Sequence, residues 1–148
     1  MMRRRVLLAV TMIAVLGGCG MGDRQRIVVE DPWVREAPPG ARALAGYMRI
    51  HNNSDAQLAL LFANSADFER VELHVTRHDN DRMRMEQVDH VALLPGAAVE
   101  FAPGGMHLML MGPRRELKAG DRVRVELTFS DGTATDVVFP VRDARSTR

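Results

Sequence analysis

Arg122-Val123-Arg124-Val125-Glu126-Leu127-Thr128-Phe129-Ser130-Asp131-Gly132 decides the fold class. Apolar residues alternate there with charged or polar ones, so an extended segment has one dry face and one wet face. Ser130-Asp131-Gly132 is a hairpin turn, and Val137-Val138-Phe139 supplies the returning strand. Outward from this hairpin the two-residue period recurs. Val71, Leu73 and Val75 alternate with Glu72, His74 and Thr76, and Met83 and Met85 alternate with Arg82, Arg84 and Glu86. Gly46 to His51 is a further strand, closed by the turn residues Asn52-Asn53-Ser54-Asp55, and Leu58 to Ala63 is a short apolar run. Ile27-Val28-Val29 opens the first strand, which Pro32 interrupts before Trp33-Val34 resumes it. Pro38-Pro39-Gly40 is a loop. Pro95-Gly96 turns into Ala98 to Phe101, and Pro103-Gly104-Gly105 leads to Met106 through Met111. Short strands with frequent turn signals predict an all-β sandwich or barrel. The pattern leaves room for a helical turn around Leu44 or Leu117.

The chain's beginning carries a different signal. Met1 to Arg5 hold three arginines and no acid, Val6 to Leu16 is apolar or weakly polar, and Leu16-Gly17-Gly18-Cys19 follows. A basic start, a short apolar run and a small-residue exit predict a secretory signal, too short to span a bilayer. Cys19 is the only cysteine, and it sits where a lipoprotein signal needs the lipidated residue. The expectation is a lipoprotein signal peptide over 1–18, a lipidated tether over 19–26, a β domain over 27–143 and a tail over 144–148. The other readings are a signal cut at a different small residue, or an uncleaved anchor. A lipoprotein of this kind belongs in the bacterial periplasm, held to the membrane by its lipid, with Cys19 as anchor and not as metal ligand.

Of the 20 Lys+Arg, three lie in residues 1–18 with no acid beside them, so the remainder carries 17 against 19 acids. That slight negative balance gives no reason to expect nucleic acid as a partner. With one cysteine there is no internal disulfide, and burial and strand pairing must hold the domain together.

The chemistry-bearing residues are soft ones. Five methionines (Met83, Met85, Met106, Met109 and Met111) fall between residues 83 and 111. Methionine also fills irregular cores, and His51, His78 and His90 beside turn-like or charged residues read as solvated side chains. The pattern singles out others. His74 lies on the wet side of its strand, opposite to Val71, Leu73 and Val75. His107 and Met109 are two apart and share a face, as do Met83 and Met85. Met111 falls on the same face as His107 and Met109, and Met106 with Leu108 and Leu110 on the other. Thioethers and imidazoles converging from adjacent strands suit Cu(I) and hold zinc, calcium or magnesium poorly. No thiolate is present to make a blue-copper centre. Nothing points to an enzyme: there is no Gly-x-Ser-x-Gly or His-Glu-x-x-His, and Asp79-x-Asp81 lacks the rest of a calcium loop.

The spacing resembles that of the periplasmic copper chaperones of the PCuAC type. Their motif is His or Met, ten residues, Met, twenty-one residues, then His-x-Met, and here His74, Met85, His107 and Met109 fill all four positions. Val71-Glu72-Leu73-His74 and Pro103-Gly104-Gly105-Met106-His107-Leu108-Met109-Leu110-Met111-Gly112 are similar to the family's surrounding text. The resemblance runs from about Val29 to Val141. It implies a cupredoxin-like Greek-key β-barrel or sandwich with Cu(I) near its surface. It further implies delivery towards the Cu(A) centre of cytochrome c oxidase, with oxidase subunit II or a thioredoxin-like copper co-chaperone as partner. Members often carry a further Met just after the first His, where this chain has Val75-Thr76. Met83 and Met111 are then candidates for an auxiliary role. Copper storage or tolerance would use the same site, and a lipid-anchored β-sandwich binding module without metal is the reading from another class.

Overall fold

The computed structural model describes residues 26–79 and 82–145, and in them every regular element is a strand. Ten strands follow in chain order: β1 Ile27–Arg35, β2 Ala43–Asn52, β3 Leu58–Asn64, β4 Phe68–Asp79, β5 Arg82–Gln87, β6 Val91–Leu93, β7 Ala98–Phe101, β8 Met106–Pro113, β9 Arg122–Phe129 and β10 Ala134–Arg142. They form one sheet in the order β5-β4-β8-β7-β2-β1-β10-β9-β3-β6, with β8 also pairing directly with β2. Nearly all pairings are antiparallel; β1 runs parallel to β10 through Val34↔Val141 and Arg35↔Arg142, and β7 meets β8 in parallel at Phe101↔Met106.

The sheet folds over on itself around one core. Leu73, Leu108 and Leu110 from one end of the strand order share that core with Leu60, Leu93, Val125 and Leu127 from the other. The connections β2–β3, β3–β4, β5–β6, β6–β7 and β8–β9 therefore cross between the two layers, as a sandwich of this class requires. The expected cupredoxin-like β fold is the fold found, and both faces of the opening hairpin behave as read: Val123, Val125, Leu127 and Phe129 are buried, Arg122, Arg124 and Glu126 exposed.

Three local features differ from the sequence reading. The interrupted first strand is one strand with a bulge. Asp31 takes φ 46°, and the register with β2 shifts between Glu30 and Trp33, which absorbs the missing Pro32 donor. β6 gave too short an apolar run to be read as a strand; it is held by Asn52, wholly buried, whose side-chain amide donates to the carbonyls of Ala56 and Leu93 at 2.8 and 2.9 Å. The pattern leaves room for a helical turn around Leu44 or Leu117, and neither forms one. Leu44 is in β2, opposite Leu110, and Leu117 drops from a loop into the core. Both leucines answer to tertiary burial, which overrides any local helical preference. The assignments for residues 1–25, including Cys19 and most of the tether, and for 146–148 lie outside the described residues.

Candidate functional site

Strand β4 lies between β5 and β8, and its alternation decides which side chains leave the core. Leu73 is buried inward, so Glu72, His74, Thr76 and His78 face outward. On β8, Leu108 and Leu110 are fully buried, so His107, Met109 and Met111 face outward with them. Met106 packs at the margin of the core, as its parity requires.

Register then assembles the outward side chains. His74 stands directly opposite His107, and Glu72 opposite Met109, on the β4–β8 ladder. On the other side of β4, Thr76 stands opposite Met85 and His74 opposite Gln87. Met85 and Met109 are thus each one diagonal step from His74 on the two neighbouring strands, a separation that long side chains span. His74, Met85, His107 and Met109 come from three adjacent strands onto one face.

The imidazole rings of His74 and His107 are 5.8 Å apart between centroids, tilted by 43°. Each ring is held by one nitrogen. His74 Nε2 donates to Glu72 Oε2 at 2.9 Å, and His107 Nδ1 donates to the Gly105 carbonyl at 3.1 Å. Because carboxylates and carbonyls only accept, these bonds put the protons on Nε2 of His74 and Nδ1 of His107. The remaining nitrogens, His74 Nδ1 and His107 Nε2, are buried and have no hydrogen-bond partner among the described residues. Two lone pairs without partners, on adjacent rings, are costly for folding alone. The donor chemistry fits a metal ion that accepts nitrogen lone pairs.

Two orienting groups escaped the sequence reading. Glu72 gave no signal beyond being an acid on the wet face; the structure shows its second oxygen taken by Arg70 Nε at 2.7 Å. Its carboxyl is held below the ordinary glutamate value, chiefly by the His74 hydrogen bond and then by Arg70. The Pro103-Gly104-Gly105 segment reads as a turn only. Gly104 takes φ 81°, and the Gly105 carbonyl accepts both from His107 and from the Thr76 backbone N–H at 3.0 Å. That turn therefore ties β4 to β8 at the level of the two histidines.

Exposure rises across the site. His107 is 3% exposed, whereas Met85 is 56% exposed on the edge strand β5. A cleft of about 870 Å³ lies elsewhere: it is lined by Pro38, Arg42, Glu69, Arg115 and Leu117 among others, and takes in Met111 but none of the four residues above. A single ion needs convergent donors and no cavity. Among the described residues no cluster of three His, Cys, Asp or Glu side chains could hold a metal. His51, expected to be simply solvated, is bonded to Glu30 Oε2 at 3.0 Å on a different strand pair.

A cupredoxin-like β-sandwich that turns paired histidines and methionines outward on one sheet defines the class of protein. The chain belongs to the LpqE-like lipoprotein family: the family described as "LpqE-like: Putative lipoprotein LpqE-like" matches residues 27–141. It is 33% identical over 118 residues, 79% of this chain and 70% of the relative, to the "Putative lipoprotein Lxx21020" of Leifsonia xyli subsp. xyli. Its fold is similar to the copper-bound PCuAC domain from PmoF2, with TM-score 0.69 and 26% identity over 80% of this chain and 93% of that one. It is likewise similar to CuI-DR1885 from Deinococcus radiodurans, with TM-score 0.67 and 28% identity over 84% and 83% of the two chains. The likeness to PCuAC domains expected from the His/Met spacing holds at the level of the whole fold.

Proposed function

We propose that this chain is a periplasmic Cu(I) metallochaperone, lipid-anchored through Cys19, with a β domain over 27–143. It binds one Cu(I) through His74 Nδ1, His107 Nε2, Met85 and Met109. The observation that carries this reading is the pair of buried, unpartnered nitrogens on facing rings, flanked diagonally by two thioethers. Imidazole accepts copper in either oxidation state, while thioethers favour the soft Cu(I) ion over harder cations. Two structural relatives, the copper-bound PCuAC domain from PmoF2 and CuI-DR1885, hold copper, which supports the same metal.

The ligand set is neutral, so the ion keeps its positive charge, offset only through His74 by the Glu72 carboxylate. Such a site holds copper by donor number and geometry and releases it by ligand exchange. Met85 is the most exposed of the four and lies on the edge strand, where an incoming donor reaches it first. That exposure favours transfer over storage. The same chemistry gives no nucleophile or general base positioned for catalysis, and we read the protein as a carrier and not an enzyme. The recipient we assign is the copper-accepting pathway to the Cu(A) centre of cytochrome c oxidase, directly or through a thioredoxin-like copper protein.

The test is a Cu(I) competition titration of the full chain in detergent under reducing conditions, with a chromogenic chelator. One tightly held equivalent, lost in the His107→Ala/Met109→Ala double variant, is the expected result. A chain that leaves the chelator fully loaded sinks the copper reading. Delivery is tested separately: deletion should lower oxidase activity at limiting copper, and copper sensitivity with normal oxidase would assign storage instead.

A further inference from the structure

Beyond the His74–His107 rung, the same sheet face carries a second pair of soft donors. β4 continues past Thr76 to His78, and β5 brings Met83 directly opposite it. Directly opposed residues of antiparallel strands have Cβ atoms about 5 Å apart, a gap that an imidazole nitrogen and a thioether sulfur can close on one ion. One step inward along the hairpin, about 7 Å by strand geometry, is the Thr76↔Met85 rung, and the His74 rung follows it.

The surroundings of this pair are unlike those of a packing methionine. Met83 is 67% exposed, more than any other large apolar side chain described, and His78 is exposed beside it. A Met used as core filler would be covered. His78 has no hydrogen bond or ion pair to another described residue, so its ring is free to turn towards Met83. The charged residues of the rungs nearest the turn lie on the other face: Arg77 opposite Arg84, and Asp79 opposite Arg82, with Arg77 Nε bonded to Glu86 at 2.9 Å. The two soft donors and Met85 therefore form an uncharged stripe that runs from the exposed end of the hairpin to the buried histidines.

We propose that His78 and Met83 form a second, weaker Cu(I) site, a surface station from which the ion passes by way of Met85 to and from the His74–His107 site. This rests on the Cu(I) reading of the main site. Passage is ligand exchange alone. Met85 sulfur bonds the ion before the His78 nitrogen or Met83 sulfur leaves it, the metal stays Cu(I), and no electron or proton is transferred. With two donors in place of four, the station holds copper less tightly, and its exposure lets a chelating partner reach it first.

The experiment is a Cu(I) titration of the full chain in detergent, labelled with ¹³C at the methionine methyls, followed by timed transfer to a chromogenic Cu(I) chelator. The first equivalent should move the Met85 and Met109 methyl signals, and a second, weaker equivalent the Met83 signal. The His78→Gln/Met83→Leu double variant should keep the first equivalent, lose the second and release copper to the chelator at least threefold more slowly. Met83→Leu alone, which keeps the bulk and removes the sulfur, should show the same loss. Uptake of one equivalent at Met85 and Met109 with no second, or equal stoichiometry and release rate in the variants, overturns the station and leaves the main site standing. Absence of any uptake overturns both.

Discussion

The Glu72 carboxylate grips Nε2 of His74 at 2.9 Å and leaves Nδ1 as the nitrogen without a partner. Two residues apart on one strand, they share a face by parity alone, but Glu72 selects the tautomer of its neighbour. Groups that hold the far nitrogen of a metal-ligating histidine typically govern affinity by about 10–100-fold.

Glu72→Ala should accordingly weaken Cu(I) binding by about 10–100-fold while the fold persists. Glu72→Gln, whose amide oxygen can still accept from Nε2, should lie between that variant and the wild type. A competition titration ranks the three. Equal affinities would mean that His74 needs no such clamp.

The four proposed ligands should respond unlike the other histidines. His74→Ala, Met85→Ala, His107→Ala and Met109→Ala should each lower Cu(I) affinity by more than Glu72→Gln does. His51→Ala and His90→Ala should leave it unchanged; loss of the exposed His51–Glu30 contact costs at most about 1 kcal/mol of stability. Met85→Leu is the most discriminating single change. The side chain is largely exposed, so thermal unfolding without metal should move by no more than about 0.5 kcal/mol. Unaltered affinity in Met85→Leu would remove that sulfur from the site.

Gly112 supports the end of β8 next to the ligand strand's outward stripe. It takes φ 60°, and a Cβ there would meet the Glu69 side chain at 2.5 Å. Gly112→Ala should destabilise the domain by about 1–2 kcal/mol through the left-handed backbone alone. Chemical denaturation of the metal-free protein checks this. The Glu69→Ala/Gly112→Ala pair should recover the steric part and not the backbone part.

The β9–β10 turn adds a pH dependence. Asp131 accepts from the Thr133 hydroxyl at 2.7 Å and the Thr133 N–H at 3.0 Å, and these bonds, the hydroxyl's foremost, hold its carboxyl below the ordinary aspartate value. A depressed folded pKa means stabilisation fully present above the unfolded value, about 3.9. It is lost as pH falls through the lower folded value. Asp131→Asn should flatten the fall in stability below about pH 4, with a loss of about 1 kcal/mol or less at neutral pH. Parallel pH profiles for the two proteins would count against it.

Much of the fold was legible because strand alternation is local. Val123 to Phe129 declares its own dry face wherever it packs, and so do Leu73 against His74 and Leu108 against His107. The missed features needed distant partners. β6 is three residues long and exists because Leu58, Ala59 and Leu60 pair with it. Leu44 carries no mark that separates a strand from a helical turn until Leu110 stands opposite. Asp31 bulges because Pro32 must sit within a strand paired on both of its sides.

The amino-acid sequence by itself determined which side chains share a face, and it spaced His74, Met85, His107 and Met109 in the pattern of a known family. Period-two alternation and spacing are properties of a single stretch of chain, so no neighbour is needed to read them. Only the tertiary structure decided that β4 lies between β5 and β8 in the register that sets His74 against His107. It alone chose Glu72 and the Gly105 carbonyl as the groups that hold the two rings, and so which nitrogens are left bare. Register is fixed by burial of both layers around one core, a balance over the whole domain, and a shift of one residue would turn every one of these side chains to the other face.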